Sequence, residues 1–474
     1  MSVQDQTPRN SEINEDELED EQRVIDSIIN TAPPPLSNAR IHKVPGGMVR
    51  EKEDYEKYYV PKVVSIGPYH FDNQKLKSIE KIKPIFAMRL LSNEKETLRS
   101  LYKKLGEPET VQELRNSYEA KSTDKFCDKA FTKMMLLDGC FILYYILFIF
   151  GRKPETCRAL LKSHQIVFVH QDLFLLENQI PFKVLREVMK LLNIDCSKIT
   201  TFIYGNILAS GTCKTSWLGS VLCTRSNESR QDESKRGLMN TDPDHILHLL
   251  HRSLTYKDQV PSKVSSPINN YRCTFRNVND LVDVGIHFKP SETKSLAHIE
   301  FCKGCWWFSA AKVILPPITV DDSTKPMLLN LIAYEMWSHE AYDAGVTSYV
   351  CLLDTLIDNP EDVKVLRKAG VLENSLGSDK EVAKLFNEIG TDLVPNNLAY
   401  MEAKNMIQSH YVSWSNTLYS QLKHEYVKSP WAFLALLGAV MALLLSAVQA
   451  YFSVWSPKSD CDDLCKFVKM NHHL

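Results

Sequence analysis

At 474 residues, with 44% hydrophobic and 24% charged side chains, the chain has an ordinary globular composition and enough length for a sizeable core. A formal net charge of −2 excludes the basic balance of a nucleic-acid binder, so no nucleic-acid partner is expected. Seventeen glycines are few for a doubly wound nucleotide fold, and twelve scattered cysteines, among them Cys140 and Cys351 inside apolar runs, point to a reducing compartment rather than a disulfide framework.

The first 40 residues read as a disordered acidic segment. Glu12, Glu15, Asp16, Glu17, Glu19, Asp20 and Glu21 repel one another, and only Val24 to Ile29 suggests a short helix before Pro33. Tyr58 to Tyr69 is irregular, with Pro61 and Pro68. Lys75 to Leu105 predicts a charged helix broken or kinked at Pro84, and Leu101 to Asn116 continues in helical style. Phe126 to Phe150 predicts a helix whose second half, Gly139 to Phe150, is free of charge. That run is about 18 Å of helix, too short to span a bilayer, and is expected in the core.

Ile166 to Gln179 and Pro181 to Leu192 read as two helices separated by Pro181. Residues 205–240, rich in Ser, Thr, Asn and Arg, form a predicted mobile loop within the domain. Asp242 to Leu254 predicts a helix with Asp242 as cap and Pro243 in the first turn. Gln259 to Asn270 reads as a linker, and alternation between Arg272 and Val320 predicts a few strands. Thr324 to Ile389 is helical again, with breaks at Asn359-Pro360 and Gly370, and Lys404 to Tyr426 leads into the last apolar segment.

Trp431 to Trp455 carries no charge. About 20 apolar residues cross a ~30 Å hydrocarbon core, so this stretch predicts one C-terminal transmembrane helix, with the lipid bilayer as partner through 431–455. Trp431, Tyr451 and Trp455 suit the interfaces, and Lys428 and Lys458 can snorkel. Residues 456–474 form a short tail. The expected fold class is mainly α, a large helical soluble domain over 41–425 with a few short strands, plus this anchor.

Three constellations have residue types that could carry chemistry. His245, His248 and His251 recur every three residues and span about 120° of a helix, so neighbours could share a metal; the plainer reading is the polar side of an amphipathic helix. Cys302 and Cys305 have a redox or zinc-knuckle spacing without a second pair in the soluble part, since Cys461 and Cys465 lie across the anchor. Glu177-Asn178-Gln179 could hold a catalytic carboxylate; the plainer reading is a buried network satisfying backbone where Pro181 breaks the helix. Asn227-Glu-Ser229 is a sequon without an evident secretory route, and no GxSxG, P-loop or GxGxxG motif occurs. No catalytic, cofactor-binding or metal-binding residue is therefore assigned, and no cofactor.

Several segments carry a resemblance. Ile41-His42-Lys43-Val44-Pro45 with Tyr59-Val60-Pro61-Lys62-Val63-Val64-Ser65-Ile66-Gly67-Pro68-Tyr69-His70, the helix Met135 to Ile142, and Asp172 to Phe182 resemble the plant family called domain of unknown function 247, of UPF0481-type membrane proteins. His245 to His251, Leu315 to Ile318, Asn330 to Glu335 and Leu356-Ile357-Asp358 continue the match in order, while Val284-Gly285-Ile286 departs from the family's usual Ala-Gly-Val. The resemblance implies a plant membrane protein with no assigned reaction. Some grass members are associated with self-incompatibility loci, which implies recognition in pollen.

The favoured reading is a single-pass, membrane-anchored interaction, recognition or signalling protein with an unidentified protein partner, at the plasma membrane. Alternatives are an enzyme with an unfamiliar Glu/His site, or a membrane scaffold. With no N-terminal signal and the anchor emerging last, the large domain is expected in the cytosol, although flanking lysines slightly favour the reverse orientation.

Overall fold

The computed structural model describes residues 15–30, 39–92, 94–151, 160–206, 242–256, 276–304, 310–337, 344–396, 398–413, 430–455 and 461–471. The fold is mainly α with a few short strands. Helix α1, Glu15–Ile29, is longer than the sequence suggested and takes in most of the acidic run. Carboxylates near a helix N-terminus are favoured by the helix dipole, so the charges that argue against a core are compatible with a solvated helix.

Helix α2 spans Lys52–Tyr58. The single helix predicted over Lys75 to Leu105 is three: α3 Lys77–Glu80, α4 Lys83–Leu90 and α5 Lys95–Leu105. Pro84 lies in the first turn of α4, where its missing N–H costs nothing, so it starts a helix rather than kinking one. Helix α6, Pro108–Asn116, starts on a proline in the same way.

Helix α7, Asp128–Ile149, is the centre of the first half. It is apolar on nearly every face, and such a helix must be covered. Helices α4, α5, α6, α9 (Phe182–Leu191) and α10 (Ser197–Asn206) pack around it. Each fully buried Leu, Ile or Phe contributes about 1.5–3 kcal/mol. At Gly139 a Cβ would come within 2.9 Å of Val184, so the missing side chain lets α9 approach. The charge-free half of α7 is buried, as its length predicts.

Helix α8, Ser163–Asp172, stops seven residues before the predicted end at Gln179. Residues 173–181 are buried turns instead. The cause is local competition: Gln179 Nε2 donates to the carbonyls of Leu173 and Leu175, both at 2.8 Å, and Asn178 Nδ2 to that of Asp172 at 2.8 Å. Helix α10 was not anticipated from the sequence. The predicted loop over 205–240 begins where α10 ends at Asn206, and its residues from 207 onward, with Asn227, lie outside the described residues, as does the linker Gln259 to Asn270.

In the second half, α11 spans Ile246–Thr255 and α12 Val278–Asp283. Strands β1 Ile286–Pro290, β2 Glu300–Cys302 and β3 Ala311–Leu315 form a sheet ordered β1-β3-β2, parallel between β1 and β3 and antiparallel between β3 and β2. Ile286, Phe288, Phe301, Val313 and Leu315 are its buried side chains. A second pair, β4 Ile318–Val320 and β5 Leu372–Asn374, is parallel. Helices α13 Thr324–Trp337, α14 Gly345–Leu356, α15 Pro360–Lys368, α16 Asp379–Ile389 and α17 Met401–Val412 complete this half. The predicted break at Asn359-Pro360 is the capped start of α15.

Helix α18 covers Pro430–Val454 and α19 covers Cys461–Asn471. Among the described residues, two helices are long and apolar enough to cross a membrane by length and composition. They differ in cover: the apolar window of α7 is 89% buried, that of Leu437–Val454 0%.

Candidate functional site

Residues 59–70 are mostly buried, yet form neither helix nor strand. Their backbone N–H groups therefore need partners from elsewhere. Side chains from α7 and from the region around the end of α8 supply them. Asp172 accepts from the N–H groups of Lys62, Val63 and Val64 at 2.9, 2.7 and 2.9 Å. Asn178 Oδ1 accepts from Ile66 N–H at 2.7 Å, and its Nδ2 donates to Val64 O at 3.1 Å. Asp138 Oδ2 accepts from Gly67 N–H at 2.8 Å. Gly67 has a φ of +74°, and a Cβ there would lie 2.5 Å from Gln179 O, so both conformation and space call for glycine.

A buried cation completes this arrangement. Lys83 is 0% exposed, and its Nζ lies 2.5 Å from both Ser65 O and Asp138 Oδ1, with Glu80 as a further partner. Burial pushes the Asp172 carboxyl up to about 6, against the pull of three N–H groups.

Glu177 is the hub of a neighbouring cluster. Val44 N–H donates to its Oε1 at 2.8 Å and Tyr55 OH to its Oε2 at 2.6 Å, while His70 Nε2 lies 3.3 Å from Oε2. Burial alone would raise this carboxyl; the bonds from His70, Tyr55 and Val44 outweigh it and hold it below its ordinary range. Gln179 Oε1 accepts from Leu247 N–H at 3.2 Å, linking the network to α11. The trio Glu177-Asn178-Gln179 is thus a backbone-satisfying network, as the plainer reading holds. Its reach is wider than the Pro181 break, because Val44 N–H, Ile66 N–H and Val64 O, which it satisfies, lie more than 100 residues away in sequence.

The histidine helix departs from its sequence reading. His245, rather than Asp242, caps α11: its Nδ1 accepts from His248 N–H at 3.2 Å. His245 and His251 are buried, so the three rings are not a solvated polar face. They meet at Tyr334 on α13, with ring centroids 5.4, 5.5 and 5.2 Å away for His245, His248 and His251. Each histidine has its own task. His248 Nδ1 accepts from Asp244 N–H at 3.0 Å. His251 Nε2 sits 2.7 Å from Glu335 Oε1. Glu335 also accepts from the N–H groups of Val346 and Thr347, both at 2.8 Å, capping α14. Among the described residues no group of three His, Cys, Asp or Glu could hold a metal ion. Cys302 is exposed and Cys305 lies outside the described residues.

Asp138, Asp172, Lys83, Asn330 and Glu335 were not singled out from the sequence. The signal was there: Asp138, Asp172 and Glu335 are single charges inside apolar runs, and a buried charge needs a partner. Asn330 ties α13 to the same region, its Oδ1 accepting from Leu176 N–H at 2.8 Å and its Nδ2 donating to Tyr58 O at 3.0 Å. A polar cleft of about 400 Å³ opens elsewhere, between Asp280, Asp354, Asp358 and Asn387, and neither Glu177 nor His251 lines it.

Known proteins resemble this chain over most of its length. The family described as plant protein of unknown function, DUF247, matches residues 41–445. One UPF0481 protein of Arabidopsis thaliana is 26% identical over 436 residues, covering 85% of this chain and 84% of its own length. A second Arabidopsis thaliana protein, named as a putative UPF0481 protein, is 24% identical over 476 residues, covering 84% of this chain and 87% of its own. No solved structure matches. With the family's match running over residues 41–445, most of its length, the chain belongs to the DUF247 plant protein family.

Proposed function

We propose that the chain is a membrane-anchored interaction protein whose helical domain is held at a bilayer by 431–455 and engages a protein partner. The observation that carries the reading is the contrast between the two long apolar helices. One is covered by the domain, while Leu437–Val454 has no cover at all. An uncharged apolar helix of that length, exposed on every side, has hydrocarbon as its natural solvent. The polar networks support the non-catalytic part of the reading. The carboxylates of Glu177, Asp172 and Glu335 are all engaged by backbone N–H groups, which is work of structure.

The orientation we propose places the large domain in the cytosol at the plasma membrane. Among the described residues of the helical domain, Cys127, Cys140, Cys196, Cys302 and Cys351 are free thiols, which suits a reducing compartment. Recognition in pollen, by analogy with grass members of the family, is the finer form of the reading and requires the opposite orientation if it acts at the cell surface. The test is fractionation of the full chain and of a chain lacking 431–455. The full chain should resist carbonate extraction and the truncated one should be released. A truncated chain that still resists carbonate overturns the anchor. Protease treatment of intact protoplasts then decides orientation: digestion of the domain from outside, or glycosylation at Asn227, overturns the cytosolic assignment.

A further inference from the structure

We infer that α19 lies in the plane of the bilayer surface with its apolar side on lipid, so that the short tail is a second membrane contact and not a free end. The inference rests on the anchor proposed above. The sequence alone suggested only a tail over 456–474, but Cys461–Asn471 is helical.

Three observations point to lipid as the occupant. The first is amphipathic placement. At 100° per residue, positions 461, 464, 465, 467 and 468 fall within about 160° of the helix and are Cys, Leu, Cys, Phe and Val. Asp462, Asp463, Lys466 and Lys469 occupy the other side; Met470, on that polar side, and the terminal Asn471, on the apolar one, are the two departures. The second is absence of cover: Phe467 is 66% exposed and Val468 56%, and Cys465 is exposed as well. A helix of eleven residues is marginal in water on its own, so an apolar face of this kind needs a surface to hold it.

The third is reach. The anchor helix ends at Val454, with Tyr451 and Trp455 stacked at 6.2 Å in the position of interfacial aromatics. From Trp455 to Cys461 the chain can extend at most about 20 Å. The helix is therefore tethered beside the headgroup region whatever the domain does. The tail's three lysines offset its three aspartates, so the attraction is apolar burial rather than a charge preference for anionic lipid.

The test uses the full-length protein in phosphatidylcholine vesicles, with photoreactive benzoylphenylalanine placed singly at Phe467, at Lys466 or at Leu444. Position 444 reports the anchor and positions 467 and 466 report the two sides of α19. The expected result is lipid adducts at 444 and several-fold more lipid adduct at 467 than at 466. Lipid adducts at 444 with equal yields at 467 and 466 would overturn the in-plane helix while leaving the anchor intact. Adducts from 467 to protein instead of lipid would overturn it too, by showing that a protein surface covers the helix. No lipid adduct at 444 would remove the anchor and this inference together.

Discussion

Replacing Asn178 tests whether the buried polar trio holds the fold or performs chemistry. Its side chain is 1% exposed and serves three backbone groups: the N–H of Ile66 and the carbonyls of Val64 and Asp172. Asn178→Ala strips all three. An unsatisfied buried group costs about 1–3 kcal/mol, and the Asp172 carbonyl keeps a weak alternative donor in Leu175 N–H, so the sum is roughly 3–5 kcal/mol. Against a total stability of about 5–15 kcal/mol that is a large fraction. In melting temperature it is roughly 6–15 °C for a large domain. Asn178→Asp keeps the acceptor for Ile66 N–H but turns an oxygen towards two carbonyls and buries a charge, so it should be at least as damaging. The assay is urea unfolding of the full chain in micelles, followed by tryptophan fluorescence. Asn116→Ala serves as control, because that side chain is exposed and should change stability by no more than ~0.5 kcal/mol. A midpoint for Asn178→Ala as close to wild type as the control would refute the reasoning.

The other expectations follow the same logic. Lys83→Met leaves Asp138 charged and buried, which should cost about 3–5 kcal/mol, and adding Asp138→Asn should recover part of it because the amide still accepts from Gly67 N–H; no recovery in the double variant would sink the pairing. Burial, helped by His248, holds the His245 imidazole at about 3, well under its ordinary value. The unfolded chain therefore binds a proton that the fold does not, and stability should fall by up to about 1.4 kcal/mol per unit as pH drops below ~6.5. His245→Asn keeps a cap acceptor and should remove one proton from that slope; an unchanged slope in pH-dependent unfolding counts against it. Glu177 acts at lower pH. Its depressed carboxyl stabilises the fold above its ordinary range of ~4.3 and loses that contribution as pH falls through the folded value, so Glu177→Gln should flatten the acid limb below pH ~4.5. His248→Ala should leave the metal content of the purified protein unchanged, and stoichiometric zinc lost in the variant would reverse the reading of the histidine helix.

Periodicity served well where one helix buries a long apolar run. Asp128–Ile149 falls within two residues of the predicted Phe126 to Phe150, because nothing competes with the helix there. It failed at Asp172 to Gln179, where apolar spacing suits a helix but Asn178 and Gln179 side chains take the carbonyls. Cap identity failed in a similar way at α11. Asp242-Pro243 has the local signature, but the cap falls three residues later, on His245. Short elements such as β5 were missed because a three-residue strand has no period to detect. The candidate site was half legible. A lone Asp in a run such as Met135 to Ile142 signals a buried charge, but the N–H it meets, on Gly67, is 71 residues away and invisible to local pattern.

That division bears on how the family's motifs are to be used. The segments carrying the resemblance meet one another in space: Tyr59 to His70 is held by Asp172, Asn178, Glu177 and Asp138, and the histidine helix by Tyr334 and Glu335. Their residue types follow from the need to satisfy an irregular buried backbone, which would be the same whatever the domain engages. Loss of function on changing any of these residues is therefore expected from unfolding alone and locates no site. Under the proposed reading, partner choice rests on side chains that this network positions without consuming. Trp337 is one such residue. It is 40% exposed, stacks on His42 at 4.5 Å and donates from Nε1 to Lys43 O at 2.7 Å, so its placement depends on residues 42 and 43, next to the Val44 that Glu177 holds. Variants that leave the unfolding midpoint in place and change what the chain binds are the ones that can separate function from fold, and exposed positions such as Trp337, rather than the motifs, are where they are to be sought.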